Sequence, residues 1–332
     1  MAPEVSFTNC ESPANRPGRS CPLHYRYQPA DLARSPDLSA DTLYVVGGLY
    51  GNRPALEALE ALVAHESAPP AIVFNGDFNW FNVDAEGFEA VNHAVLGHTA
   101  LRGNVETELA GNDAAAGCGC GYPDWVGDAE VDRSNRILEQ LRDTARRLPA
   151  LRSRLAALPM HLVAEIGGLR VAIVHGDAHS LAGWDYAQEM LADPAHRRRV
   201  TSDFDAAAAR VIASSHTCLP AFSEFDAAAG RSILINNGAA GMPNFAQTHY
   251  GVITRISTRP AKSLNALYGA RLDRIHIDAL PLRYDQARWL ADFNANWAEG
   301  TPAHASYYQR IVHGPAATLA HALPPRGTLA SA

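Results

Sequence analysis

The chain has 332 residues, enough for one large domain or two modest ones. Hydrophobic residues make up 47% and charged residues 19%, the balance of a globular protein with a sizeable core. With 28 Lys and Arg against 35 Asp and Glu, the net charge of −7 argues against duplex nucleic acid as a partner, so a phosphate-bearing ligand has to find its positive charge locally.

The first twenty residues contain no apolar run of the kind a secretory signal needs. No stretch of about 18 apolar residues marks a membrane span. Five cysteines, an odd and sparse set, argue against a disulfide framework and for a reducing, cytoplasmic setting.

Residues 1–40 are rich in Pro, Ser and Arg and read as irregular. Leu43–Val46 is a short apolar run ended by Gly47-Gly48, which predicts a buried strand. Leu56, Leu59 and Leu62 then recur at helical spacing over 53–66. The unit repeats: Ala71–Phe74 stops at Asn75-Gly76-Asp77, a helix is predicted over 84–97, and Thr99–Arg102 leads into Gly103-Asn104. A Gly- and Cys-rich loop covers 110–127, and one long or two shorter helices cover 131–158. His161–Glu165 and Leu169–Val174, joined through Gly167-Gly168, read as a hairpin whose second strand stops at His175-Gly176-Asp177. Helical material at 184–210 precedes Val211–Ala213 and Ser214-Ser215-His216. Strands follow at Ser232–Ile235, Tyr250–Ser257 and Arg274–Ala279, and 283–332 returns to helix and loop. Strand and helix alternate in the first half, while strands dominate the second, so a mixed sheet is expected.

Gly76-Asp77, Gly103-Asn104, His175-Gly176 and Ser215-His216 each follow an apolar strand, where open α/β sheets bind ligands. Together they offer a carboxylate, a carbonyl and two imidazoles, a donor set that suits a divalent metal.

These motifs resemble, in order, those of the calcineurin-like metallophosphoesterases, in particular the small bacterial phosphodiesterase and diadenosine-tetraphosphatase-like branch. That family carries Asp-x-His-Gly-Asn, Gly-Asp, Gly-Asn-His-Glu, a His and Gly-His-x-His. Here they stand as Gly48-Leu49-Tyr50-Gly51-Asn52, Gly76-Asp77, Gly103-Asn104-Val105-Glu106, His175 and Ser215-His216-Thr217-Cys218. The resemblance covers residues 41–258, with an N-terminal segment 1–40 and a C-terminal strand and helical extension 259–332 expected to pack on the same domain. It implies a layered α/β/β/α sandwich of two mixed sheets flanked by helices. It also implies one intact metal site made of Asp77, Asn104, His175 and His216. The positions of the second site are Gly48, Tyr50, Asp77 and Cys218, where only the aspartate survives, and the family's catalytic histidine is Val105.

The resemblance therefore implies hydrolysis of a small phosphorylated substrate, a phosphodiester or nucleotide, by a metal-activated water. Asp77, Asn104, His175 and Asp177 are the candidate catalytic residues, with Asp177 or His179 as stand-in proton donors. One divalent ion per chain (Mn, Zn, Fe or Mg) is expected. A second ion would need Cys218 or Tyr50 as an anionic ligand, aided by Cys118 or Cys120. A catalytically weak or silent fold that binds a nucleotide or partner protein is the alternative, and a homo-oligomer stays open.

Overall fold

The computed structural model describes residues 16–112, 114–261 and 264–323. Two six-stranded mixed sheets pack face to face, with helices on both outer faces. The first sheet has the order β1-β5-β6-β7-β9-β8, built from Leu38–Ala40, His161–Ile166, Leu169–Val174, Val211–Ser214, Gly230–Asn237 and Pro220–Ala227. The second has the order β11-β12-β10-β2-β3-β4, built from Tyr268–Leu272, Ile275–Arg283, Tyr250–Ser257, Thr42–Val46, Ala71–Asn75 and Thr99–Leu101. In the first, β6, β7 and β9 run parallel; in the second, β2, β3 and β4 do.

Side-chain alternation explains why the central strands read as unbroken apolar runs. Leu43 and Val45 of β2 face the first sheet, where they meet Val171, Ile173, Ile233 and Ile235. Tyr44 and Val46 point the other way, into the cluster beneath the helices. In β6, Ala172 and Val174 likewise turn outward, toward Val200 and Phe204 of a helix at Pro194–Ala207. Both faces of these strands are covered, so both faces are mostly apolar.

Helices α1 (Arg53–Val63), α2 (Ala85–Val95), α3 (Asn104–Ala110), α4 (Asp128–Arg146) and α5 (Pro149–Ala156) lie between β2 and β5 in sequence. Asn52 starts α1 by accepting the Ala55 N–H, and Asp84 starts α2 by accepting that of Gly87. The short α6 (Gln188–Leu191) and α7 (Pro194–Ala207) precede β7, while α8 (Gln286–Asn296), α9 (Pro302–His313) and α10 (Leu319–Ala322) end the described chain.

The C-terminal aromatics pack on the outer face of the second sheet. Trp289, Phe293 and Trp297 are buried, and Phe81 forms edge-to-face pairs with Phe293 and Tyr307 at 5.2 and 5.1 Å. The extension is also part of the sheet: β12 pairs with β10 along eight positions, Tyr250 to Ser257.

Three strands that the apolar pattern does not indicate are present, β1, β8 and β11, and all three are sheet edges. In the N-terminal segment, read as irregular, Leu38–Ala40 pairs in parallel with β5.

An ion pair ties the segment after α1 to the second sheet. Arg255 of β10 donates to Glu66 at 2.6 Å, and the Tyr44 hydroxyl donates to the same carboxylate at 2.7 Å. Burial works against the Glu66 charge, but hydrogen bonds from Arg255 and Tyr44 outweigh it and hold its pKa below the ordinary range. Its contribution is therefore complete above about pH 4.3 and is lost as pH falls through the lower, folded value. Glu66→Gln is expected to cost about 3 kcal/mol at neutral pH, because Arg255 keeps its charge where water cannot reach it. Urea unfolding of both proteins should show the gap closing in acid; a gap independent of pH would refute this assignment.

Candidate metal centre

The two sheets bring their parallel strand ends to one edge of the sandwich, and there they are clasped. Asn75 at the end of β3 donates to the Val174 carbonyl of β6 at 2.9 Å. Asn237 of β9 donates to the carbonyls of Gly47 and Val252, at 3.0 and 2.8 Å. Asp77 and Asn104 rise from the second sheet just beyond β3 and β4, and His175 and His216 from the first, just beyond β6 and β7.

Their donor atoms converge. Nε2 of His175 lies 3.3 Å from Oδ2 of Asp77, 3.3 Å from Oδ1 of Asn104 and 3.2 Å from Nδ1 of His216. The partners on the far sides fix the tautomers. Nδ1 of His175 sits 2.8 Å from the Asn75 carbonyl and Nε2 of His216 sits 2.9 Å from the Cys120 carbonyl. A carbonyl only accepts, so those nitrogens carry the hydrogens and the inward nitrogens carry lone pairs. The Asn104 amide donates to the Cys118 carbonyl at 3.0 Å, which turns its own oxygen inward. A carboxylate, an amide oxygen and two bare imidazole nitrogens thus face one another with no hydrogen among them.

That arrangement fits a cation. Neighbouring ligands of a tetrahedral ion held at about 2.0 Å stand about 3.3 Å apart, which matches the observed spacing. The titration behaviour agrees. Despite burial, the field of His175 and His216 and the Val105 N–H keep Asp77 below its ordinary pKa. Burial and His175 push His216 down to about 4, so it stays neutral, as a metal ligand must. Burial opposes charge on His175, but Asp77 prevails and raises it.

Backbone strain gathers here too. Tyr50, Asp77 and Cys218 have φ of 55°, 52° and 61°, left-handed values that cost energy for residues other than glycine. Glu106 sets the Asp77 turn. Fully buried, it accepts N–H bonds from Asp77, Phe78, Asn79 and Gly103, and burial next to Asp77 raises it to about 7. Gly103 has to be glycine, because a Cβ there would stand 2.2 Å from the Asp77 carboxylate.

The second half of the expected centre is filled by neutral side chains. The Tyr50 hydroxyl and Cys218 Sγ hydrogen-bond at 3.1 Å. Burial raises the pKa of both groups. The ring of Tyr50 lies over Gly48, whose Cβ, if it had one, would be 2.9 Å from Tyr50 Cζ. Cys118 and Cys120 are bonded to each other as a disulfide, and Cys218 is free.

Asp177 is not brought into the cluster. Buried in its own loop, it accepts N–H bonds from His179, Ser180 and Asp185. His179 pairs with Asp203 at 2.8 Å, which raises it to about 9. Arg102, another candidate for meeting phosphate, donates to the Ala156 carbonyl.

Tyr50, Asp77, Asn104, Val105, His216 and Cys218 line one cavity of about 30 Å³, walled by Trp80, Tyr122, Trp184 and Tyr307. Aromatics so distant in sequence leave no local signal of that wall. Trp184 is held by donating to the Cys120 carbonyl at 2.9 Å and lies edge-on to His216.

No protein-family model and no curated protein matches the chain. Among solved structures, it is similar to a hypothetical protein of Pyrococcus horikoshii OT3. The two share 19% identity and a TM-score of 0.53 over 83% of this chain and 99% of that one. It is also similar to a metallophosphoesterase from Sphaerobacter thermophilus, at 17% identity and TM-score 0.51, over 82% of this chain and 100% of that one. At these identities the likeness speaks for the fold. The two six-stranded sheets of this chain, with helices outside them, share the fold of that metallophosphoesterase.

Proposed function

We propose that the chain hydrolyses a small phosphorylated substrate with one divalent ion, held by Asp77, Asn104, His175 and His216. The convergence of four lone-pair donors, each aimed by a hydrogen bond on its far side, carries this reading. A divalent ion there supplies a Lewis acid for a phosphoryl oxygen and lowers the pKa of a water. The protein's part is to keep Asp77 ionised and both imidazoles turned inward, and to exclude bulk water with the aromatic wall. It offers no histidine beside Asn104, because Val105 stands there, and losing one general acid typically slows a reaction by about 10² to 10⁴.

The narrow cavity favours a second reading, a weak or silent member that binds rather than cleaves. A space of about 30 Å³ admits one or two waters, so a phosphoryl group enters only when the aromatic wall shifts. Metal content and turnover of an aryl phosphodiester, measured on the same sample, separate the two. One ion per chain with slow, metal-dependent turnover is the expected result. One ion without turnover leaves the binding reading, and no ion at all refutes both the site and the mechanism.

A further inference from the structure

Two carbonyls of the loop between α3 and α4 accept the hydrogen bonds that aim this site. The Cys118 carbonyl takes the Asn104 amide at 3.0 Å, and the Cys120 carbonyl takes His216 Nε2 and Trp184 Nε1, both at 2.9 Å. The two residues that own these carbonyls are joined through their side chains. Gly117, Gly119 and Gly121 around them are all at positive φ, and the Cys118 N–H is held by Asn135 Oδ1 at 2.9 Å. We propose that the Cys118–Cys120 pair is a redox-responsive positioning element. As a disulfide it locks both carbonyls against Asn104 and His216; as two thiols it frees the loop and lets those ligands turn.

The chemistry balances with a disulfide as oxidant. Closing the pair forms the S–S bond and releases two protons and two electrons, which an external disulfide takes up as it becomes two thiols; reduction reverses the exchange. Cys120 is 6% exposed and lines the cavity, while Cys118 is fully buried. The element aims Nδ1 of His216 without touching substrate. Loss of such outer partners typically weakens metal binding about 10- to 100-fold.

This inference rests on the proposed metal site, so its test has one arm that needs no metal. The full-length chain is compared in three forms: oxidised, reduced with a phosphine that is then removed, and Cys118→Ser/Cys120→Ser, which stays open. In metal-free protein, nitrogen NMR of His216 should show the Nε2–H tautomer in the oxidised form and a mixture in the other two. Titration with zinc alone should then show binding about 10- to 100-fold tighter in the oxidised form. An identical His216 tautomer in all three forms overturns the proposal, whatever the metal does. So does alkylation of Cys118 and Cys120 after treatment with oxidised glutathione. If the tautomer switches but no form binds zinc, the positioning element stands and the metal site falls.

Discussion

Asp77→Asn is expected to weaken divalent-metal binding by at least about 10²-fold while leaving the metal-free fold intact. Asparagine tolerates the left-handed backbone at this position, and its side-chain oxygen can still accept the Val105 N–H. What it removes is the one anion among the four donors. Metal-free wild type carries unbalanced lone pairs at the joint between the sheets, and the donors come in equal number from each sheet. An ion there links the two sheets, so its binding should register in unfolding of the whole chain. At a free metal concentration 100 times the dissociation constant the gain is about 2.7 kcal/mol. Thermal unfolding of wild type should therefore rise with zinc or manganese, and that of Asp77→Asn should stay flat at the same concentrations. An equal rise in both would show that the ion binds elsewhere.

Trp297→Ala is expected to be the most damaging single change outside the site, at about 3–5 kcal/mol. The indole is fully buried and its Nε1 donates to the Phe81 carbonyl at 3.0 Å. Truncation opens a cavity and removes one of that carbonyl's two donors, the other being the Val83 N–H at 3.0 Å. Phe81 follows Trp80, which walls the metal cavity, so α8 and α9 brace the site from outside. Removing everything after residue 282 strips this brace and exposes Phe81 and its neighbours, and the shortened chain should lose cooperative unfolding. A calorimetric midpoint within about 2 °C of wild type for Trp297→Ala would contradict this packing role.

The central strands and the four donors were legible because burial on both faces leaves long apolar runs, and each run ends abruptly in Gly, Asn, Asp or His. The edge strands were not legible. Pro220–Ala227 begins with proline and carries Glu224 and Asp226 toward solvent, Tyr268–Leu272 holds a glycine and an arginine, and Leu38–Ala40 is too short to show a period. Within the site, the resemblance pointed to the converging donors but not to their supports. Glu106 binds backbone groups separated from it by up to 29 positions, and the carbonyls of Cys118 and Cys120 depend on a loop whose path no periodicity encodes. For Asp177 the sequence misled. A carboxylate two residues after a ligand looks available to substrate, whereas its oxygens are taken up by three N–H groups of the next turn.

The contact between Tyr50 and Gly48 bears on how the altered half of the site could change over mutational time. A carboxylate at position 48 cannot return first: its Cβ would press into the Tyr50 ring, on a backbone already at φ 65°. Nor does shrinking Tyr50 first come free, since that leaves Cys218 without its hydroxyl partner and opens a void beside a packed core. Positions 48 and 50 are thus coupled: a side chain at 48 fits only with a smaller residue at 50, so the two have to change together.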